Sequence, residues 1–107
     1  MKKSQDGIWI IDVEGKTVFA NARMAEILRT TVDQMIGQPS FNYVDPEDAP
    51  AAQRLFEAKV RGDSNPFHFK LRCPDASHVW VDVQGTPLHN AAGVFNGIVG
   101  TFTVSEE

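Results

Sequence analysis

Cysteine occurs once in the 107 residues, at Cys73. A lone thiol closes no internal disulfide and makes no thiolate metal site, so a disulfide scaffold and a cysteine-built zinc module are both excluded, and the cytosol is the expected compartment. Long apolar runs are missing as well. None approaches the roughly 20 residues that span a bilayer. The basic start Met1-Lys2-Lys3-Ser4 leads only into the apolar stretch Ile8 to Ile11, shorter than the core of about 7–15 residues in a signal peptide. No direct membrane contact is expected of this chain. Positive charge is scarce: ten Lys and Arg stand against fourteen Asp and Glu, a net charge of -4. Phosphate binding needs clustered cations, so no nucleic-acid partner is expected. No Gly-rich loop precedes a helix to cradle phosphate. His68, His78 and His89 show no metal-ligand spacing, and no repeat, low-complexity tract or internal linker breaks the chain.

What remains has an ordinary globular balance, 42% hydrophobic and 22% charged, at a length suited to one domain with one core. Ile8 to Asp12 is apolar and β-branched and reads as a strand. Asp12-Val13-Glu14-Gly15 is a turn, and Lys16 to Ala20 completes an antiparallel hairpin. Asn21 fits a helix N-cap, followed by Met24, Ile27 and Leu28 on one helical face. Thr31 and Gln34 are spaced as a capping box, and Gly37 is placed to stop that short helix in a left-handed conformation. Asp45-Pro46-Glu47-Asp48 reads as a second start: a cap, a proline at the first helical position, and acids at the positive end of the dipole. Ala52, Leu55, Phe56 and Lys59 then form a mostly apolar face, closed by Gly62. Pro50 does not suit a helix running unbroken from Pro46. Either a short turn comes first and the main helix restarts near Ala49, or the boundary lies elsewhere.

Phe67, Phe69, Leu71 and Cys73 alternate with His68, Lys70 and Arg72, the clearest period of two in the chain. After a turn over Pro74 to Ser77, His78 to Leu88 forms a long strand with Val79, Val81 and Val83 on one face and Trp80, Asp82 and Gln84 on the other. Val94 to Val104 is the last strand, with a bulge or kink at Asn96-Gly97. The order β-β, short helices, β-β-β predicts an α+β domain, an antiparallel sheet covered by helices on one side.

That order, with these residues, resembles the PAS family from about Asp6 to Val104, nearly the whole of a single domain spanning 1–107. Asp12-Val13-Glu14-Gly15 with Asn21 is similar to the family's opening "D-x-x-G … N". Leu28 with Met35-Ile36-Gly37 is similar to "L … E-L-I-G". Val44-Asp45-Pro46-Glu47-Asp48 resembles the "H-P-E-D" start of the long helix, with Asp45 in place of histidine. Trp80-Val81-Asp82 resembles "W-V-E", and Gly93, Gly97 and Gly100 match the glycines around the last turn and strand. Two places depart. Thr103-Val104-Ser105 has no acid where "D-I-T" couples sheet to output helix in the family, and Ala76 stands in a turn where glycine is common.

The resemblance implies a five-stranded antiparallel sheet cupping a small cavity under short helices, in the order β-β-α-α-α-β-β-β. It also implies a sensory or signal-input role in a larger protein such as a sensor histidine kinase, with an output domain starting after Glu106-Glu107. The alternative within the family is a ligand-free docking or dimerisation module. Haem-binding members carry a histidine on the long helix, and Glu47 to Arg61 has none, so haem is not expected. Light-oxygen-voltage members need a cysteine in "N-C-R-F-L-Q", which this chain lacks, so covalent flavin photochemistry is not expected either. A non-covalent flavin or a small metabolite remains open. Candidate cavity residues are Asn21, Phe41, Asn42, Tyr43, Phe56 and Phe69, with Phe19 and Phe67 as further aromatics. The competing reading of these aromatics is core packing, and that of Asn21 is its cap.

Catalysis finds little support. Asp75, Ser77 and His78 are neighbours in one turn and do not easily form a nucleophile–base–orienter line. Cys73 reads as a small buried hydrophobe, and Asp45, Glu47 and Asp48 as helix-start acids. With the valines facing the helices, Trp80 falls on the outer face of the sheet, where a homodimer interface is expected.

Overall fold

A computed structural model describes residues 6–105. The basic start and the expected junction after Glu106-Glu107 lie outside the described residues. The elements are β1 (Gly7–Ile11), β2 (Thr17–Ala20), α1 (Ala22–Leu28), α2 (Val32–Met35), two 3-10 turns (Ser40–Tyr43 and Pro46–Asp48), α3 (Ala49–Val60), β3 (Phe67–Arg72), β4 (His78–His89) and β5 (Phe95–Val104). All pairings are antiparallel, in the sheet order β2-β1-β5-β4-β3. This is the expected α+β architecture, with the first hairpin inserted beside the last strand.

Local chemistry sets the helix boundaries. The Asn21 side-chain carbonyl accepts from the backbone N–H groups of Met24 and Ile8, both at 2.9 Å. It therefore caps α1 and ties that helix to β1 at the same time. α1 buries Met24, Ile27 and Leu28. Thr31 accepts from the Gln34 N–H at 3.2 Å. Gln34 does not reach back to Thr31; its side-chain oxygen accepts from the Thr30 hydroxyl at 2.8 Å. The expected capping box is thus half made. Gly37 takes φ +84°, and its N–H donates to the Thr17 carbonyl.

The break near Pro50 resolves in favour of the restarted helix. The turn Pro46–Asp48 comes first, and α3 begins at Ala49 with Pro50 in its opening turn, where a missing N–H has no intrahelical partner to lose. Asp45 requires a correction. It makes no side-chain cap hydrogen bond. Its carboxylate accepts from His78 Nε2 at 2.8 Å and lies 3.5 Å from Lys70 Nζ and 3.8 Å from Arg72 Nε. It latches the helical segment to β3 and β4 rather than capping a helix.

The inner face of the sheet supplies Trp9, Leu71, Val81 and Val83 to a core closed by Met24, Leu28, Met35 and Tyr43. Trp80 stands on the opposite face, 42% exposed, its ring stacked 4.7 Å from that of His68. Phe19 pairs with Ile10 and is exposed, so it belongs to that outer face and not to a cavity. Leu88 pairs with Gly97 and His89 with Phe95, which leaves Asn96 as the extra residue of the expected bulge. Gly97 is required there: a Cβ would meet the Ile11 carbonyl oxygen at 2.5 Å.

Candidate functional site

A cavity of about 120 Å³ lies between α3 and the inner face of the sheet. Trp9 from β1 and Ile98 and Phe102 from β5 line one part of it. Val83 and Gly85 from β4 and Phe67, Phe69 and Leu71 from β3 line the rest of the sheet side. Phe41 and Val44 flank it, and Ala52, Leu55, Phe56 and Lys59 of α3 close it from above. The walls are almost wholly apolar; Lys59 and Ser40 are the polar side chains besides the Trp9 indole.

Trp9 is fixed on three sides. Its Nε1–H donates to the buried Thr17 hydroxyl at 2.8 Å. Its ring meets that of Tyr43 edge-on at 5.6 Å and that of Phe102 at 5.5 Å. An indole so held gives the cavity one rigid wall. The sheet side owes its shape to a glycine pair, Gly85 opposite Gly100. A Cβ on Gly100 would lie 2.7 Å from Phe102 Cε1, and one on Gly85 would lie 3.2 Å from Lys59 Cε. The glycines thus leave room for the Phe102 ring and the Lys59 stem.

The expected site residues divide. Phe41, Phe56 and Phe69 line this cavity, as does Phe67. Asn21 does not, because its side chain is used at the α1 cap. Tyr43 and Asn42 face a separate polar hollow beside Gln34, Gln38 and Arg72, where Asn42 donates to Gln38 Oε1 at 3.2 Å. Burial pushes the Tyr43 phenol above its ordinary pKa, so it stays neutral. The reading from sequence placed Lys59 on the apolar face of the helix without assigning it to the cavity, and passed over Trp9 and Gly85. A lysine on the apolar face of α3 and a glycine inside a strand were the available signals.

The candidate catalytic turn does not assemble a relay. The Ser77 hydroxyl donates to Asp75, while His78 turns to Asp45 at 2.8 Å. The Ser77 side-chain and backbone hydrogen bonds, with Arg29 nearby, hold the Asp75 carboxyl below its ordinary pKa. Among the described residues no group of three or more His, Cys, Asp or Glu side chains is placed to hold a metal, and no helix is long and apolar enough to cross a membrane.

A sequence profile of the PAS fold matches residues 1–104. The chain belongs to the PAS family. The fold recurs in the light state of the blue-light photoreceptor Aureochrome1 LOV domain, with a TM-score of 0.83 at 19% identity over 97% of this chain and 84% of that one. It recurs in the PAS-B domain of Drosophila melanogaster Cycle with bound ethylene glycol, at 0.79 and 17% over 92% and 99%. The PAS domain of a Colwellia psychrerythraea protein gives 0.80 and 17% over 94% and 86%. No curated protein matches. The PAS fold is typical of signal-input modules, and the cavity found here lies between its sheet and its long helix.

Proposed function

We propose that this PAS domain is the signal-input module of a larger cytoplasmic signalling protein, such as a sensor histidine kinase, and that it binds a small molecule in the cavity beneath α3. The observation that carries this reading is the cavity of about 120 Å³, walled by fixed aromatics. Its size narrows the ligand. Pockets for drug-sized molecules run from about 300 to 1,000 Å³, whereas a dry cavity of about 150 Å³ holds benzene. A flavin ring system does not fit these walls as they stand, so a small metabolite is the better occupant. Nor does α3 carry a histidine that would hold haem iron.

Occupancy acts on output by differential affinity for two states of the domain. The sheet touches both ligand and exit: β5 contributes Ile98 and Phe102 to the cavity and ends at Val104. The Ser105 N–H donates to the Trp80 carbonyl at 2.8 Å, so the chain leaves the sheet still paired to β4. The family's exit aspartate is absent, and this backbone pairing is the connection available in its place. Native mass spectrometry of freshly purified protein tests the reading. Added mass that is lost on denaturation supports a cavity ligand. A bare chain that also takes up none of a panel of small apolar molecules speaks against it.

A second reading is favoured by the outer face. Trp80, Phe19 and the half-buried Ile8, Ile10 and Val99 make it partly apolar, which suits a homodimer or a docked partner.

A further inference from the structure

Lys59 is only 3% exposed, yet it sits on the lining of a mostly apolar cavity. Its Nζ donates to the Asn65 carbonyl at 2.7 Å and lies 5.4 Å from the centroid of the Phe67 ring. An ammonium has three donors, and among the described residues it pairs with no carboxylate. Holding such a group out of water without a counter-charge is costly. Gly85 accommodates it, since a Cβ there would press on the lysine stem at 3.2 Å. A loop clamp onto Asn65 needs one donor and no positive charge, so it does not explain a lysine on the cavity wall.

We propose that the cavity is selective for a small monocarboxylate, with its apolar body against Trp9, Phe56 and Phe69 and its carboxylate accepting from Lys59 Nζ. This rests on the reading of the cavity as a ligand site. The volume of about 120 Å³ limits the body to a short aliphatic chain or a single ring. With Lys59 the one cation on the lining, a second carboxylate on the ligand has no counter-charge there, so dicarboxylates are disfavoured. Ser40, the other polar side chain, offers a hydroxyl but no charge.

Hexanoate and 1-hexanol differ mainly in the anionic head, and both are small enough to serve as probes. Each is titrated at neutral pH into the wild-type domain by calorimetry, with fluorescence of a Trp80→Phe variant, in which Trp9 is the one tryptophan left, as a local reporter. The expected result is at least about tenfold tighter binding of hexanoate, the scale of a charge-assisted hydrogen bond. Lys59→Met keeps the apolar stem and removes the ammonium, and it should abolish the preference while retaining hexanol binding. Gly85→Ala, which displaces the lysine, should weaken hexanoate more than hexanol. Equal affinities in the wild type, or a preference surviving in Lys59→Met, overturn the carboxylate assignment and leave the cavity reading standing. Failure of both probes to bind the wild-type domain overturns both. The wild-type comparison holds even if neither variant folds.

Discussion

Ala76 adopts φ +73° in the turn between β3 and β4, a left-handed conformation that costs a non-glycine residue about 1 kcal/mol or more. The turn is nonetheless closed by two hydrogen bonds, Ala76 N–H to the Cys73 carbonyl and Cys73 N–H to the Ser77 carbonyl. The position resembles one where the family favours glycine, and alanine keeps the same geometry under strain. Ala76→Gly relieves the strain and gives back part of the gain to the unfolded chain's greater freedom. A net stabilisation of about 0.5–1 kcal/mol is expected, read as a higher urea midpoint with unchanged slope. One residue earlier, Asp75 has a lowered pKa, chiefly through the Ser77 hydroxyl. A carboxyl depressed in the folded state contributes stability above its unfolded pKa of about 3.9, and that contribution is lost as pH falls through the folded value. Ser77→Ala should move the Asp75 titration upward in a carboxyl carbon NMR experiment. The stability gap between wild type and variant should be present at pH 7 and shrink below about pH 4. An Asp75 titration unmoved by the substitution would show that the backbone N–H and Arg29 suffice.

At the scale of elements, the Asp45 carboxylate joins the helical segment to two strands. Its side chain is 12% exposed, against 27% for Lys70, 39% for Arg72 and 42% for His78. Removing it leaves Arg72 and His78 without their acid, while Lys70 keeps Asp48 at 3.6 Å. Asp45→Ala should therefore destabilise by about 1–3 kcal/mol. Asp45→Asn, which keeps an acceptor, should lose less, and added salt should narrow the gap between the wild type and either variant. Equal stability of Asp45→Ala and wild type in urea titrations would mean that edge strand β3 is held by its ladder and core contacts alone. Nothing in the sequence marked this latch. Asp45-Pro46-Glu47-Asp48 matches a helix start, and the partners of Asp45 lie 25 to 33 residues away, beyond the reach of local pattern. The strands were legible for the opposite reason. Phe67, Phe69 and Leu71 alternate because one face of β3 looks inward, so burial writes itself into the sequence at period two. Three of the six candidate cavity residues line it, Phe41, Phe56 and Phe69, because they are bulky and apolar wherever they point. Lys59 was hidden because a lysine at the edge of an apolar face ordinarily snorkels to water, and only the glycine on a strand far along the chain lets it remain inside.

For the whole molecule, the question is what covers the outer face of the sheet. The helices occupy the inner face, and the outer one presents Trp80 at 42% exposure and Phe19 at 45%, toward opposite edges of the strand order. Trp80 is held flat by its stack on His68, whose Nδ1 is 2.9 Å from Asp82 Oδ1. A preordered aromatic loses little freedom on association, which favours it as an anchor in an interface. Two copies meeting face to face bury the same residues on each side, as a twofold dimer requires. The domain is therefore expected to dimerise, as read by light scattering across a dilution series, with Trp80→Ala raising the dissociation constant at least about tenfold. The variant's urea midpoint should stay close to that of the wild type, since Trp80 lies on the outer face and not in the core. Phe19→Ala separates two geometries: a matching loss places both ends of the sheet in the interface, while no loss confines it to the β3–β4 side. A dimer that keeps its wild-type dissociation constant in Trp80→Ala rules out this face as the anchor, and a chain that stays monomeric at high concentration rules out self-association through it.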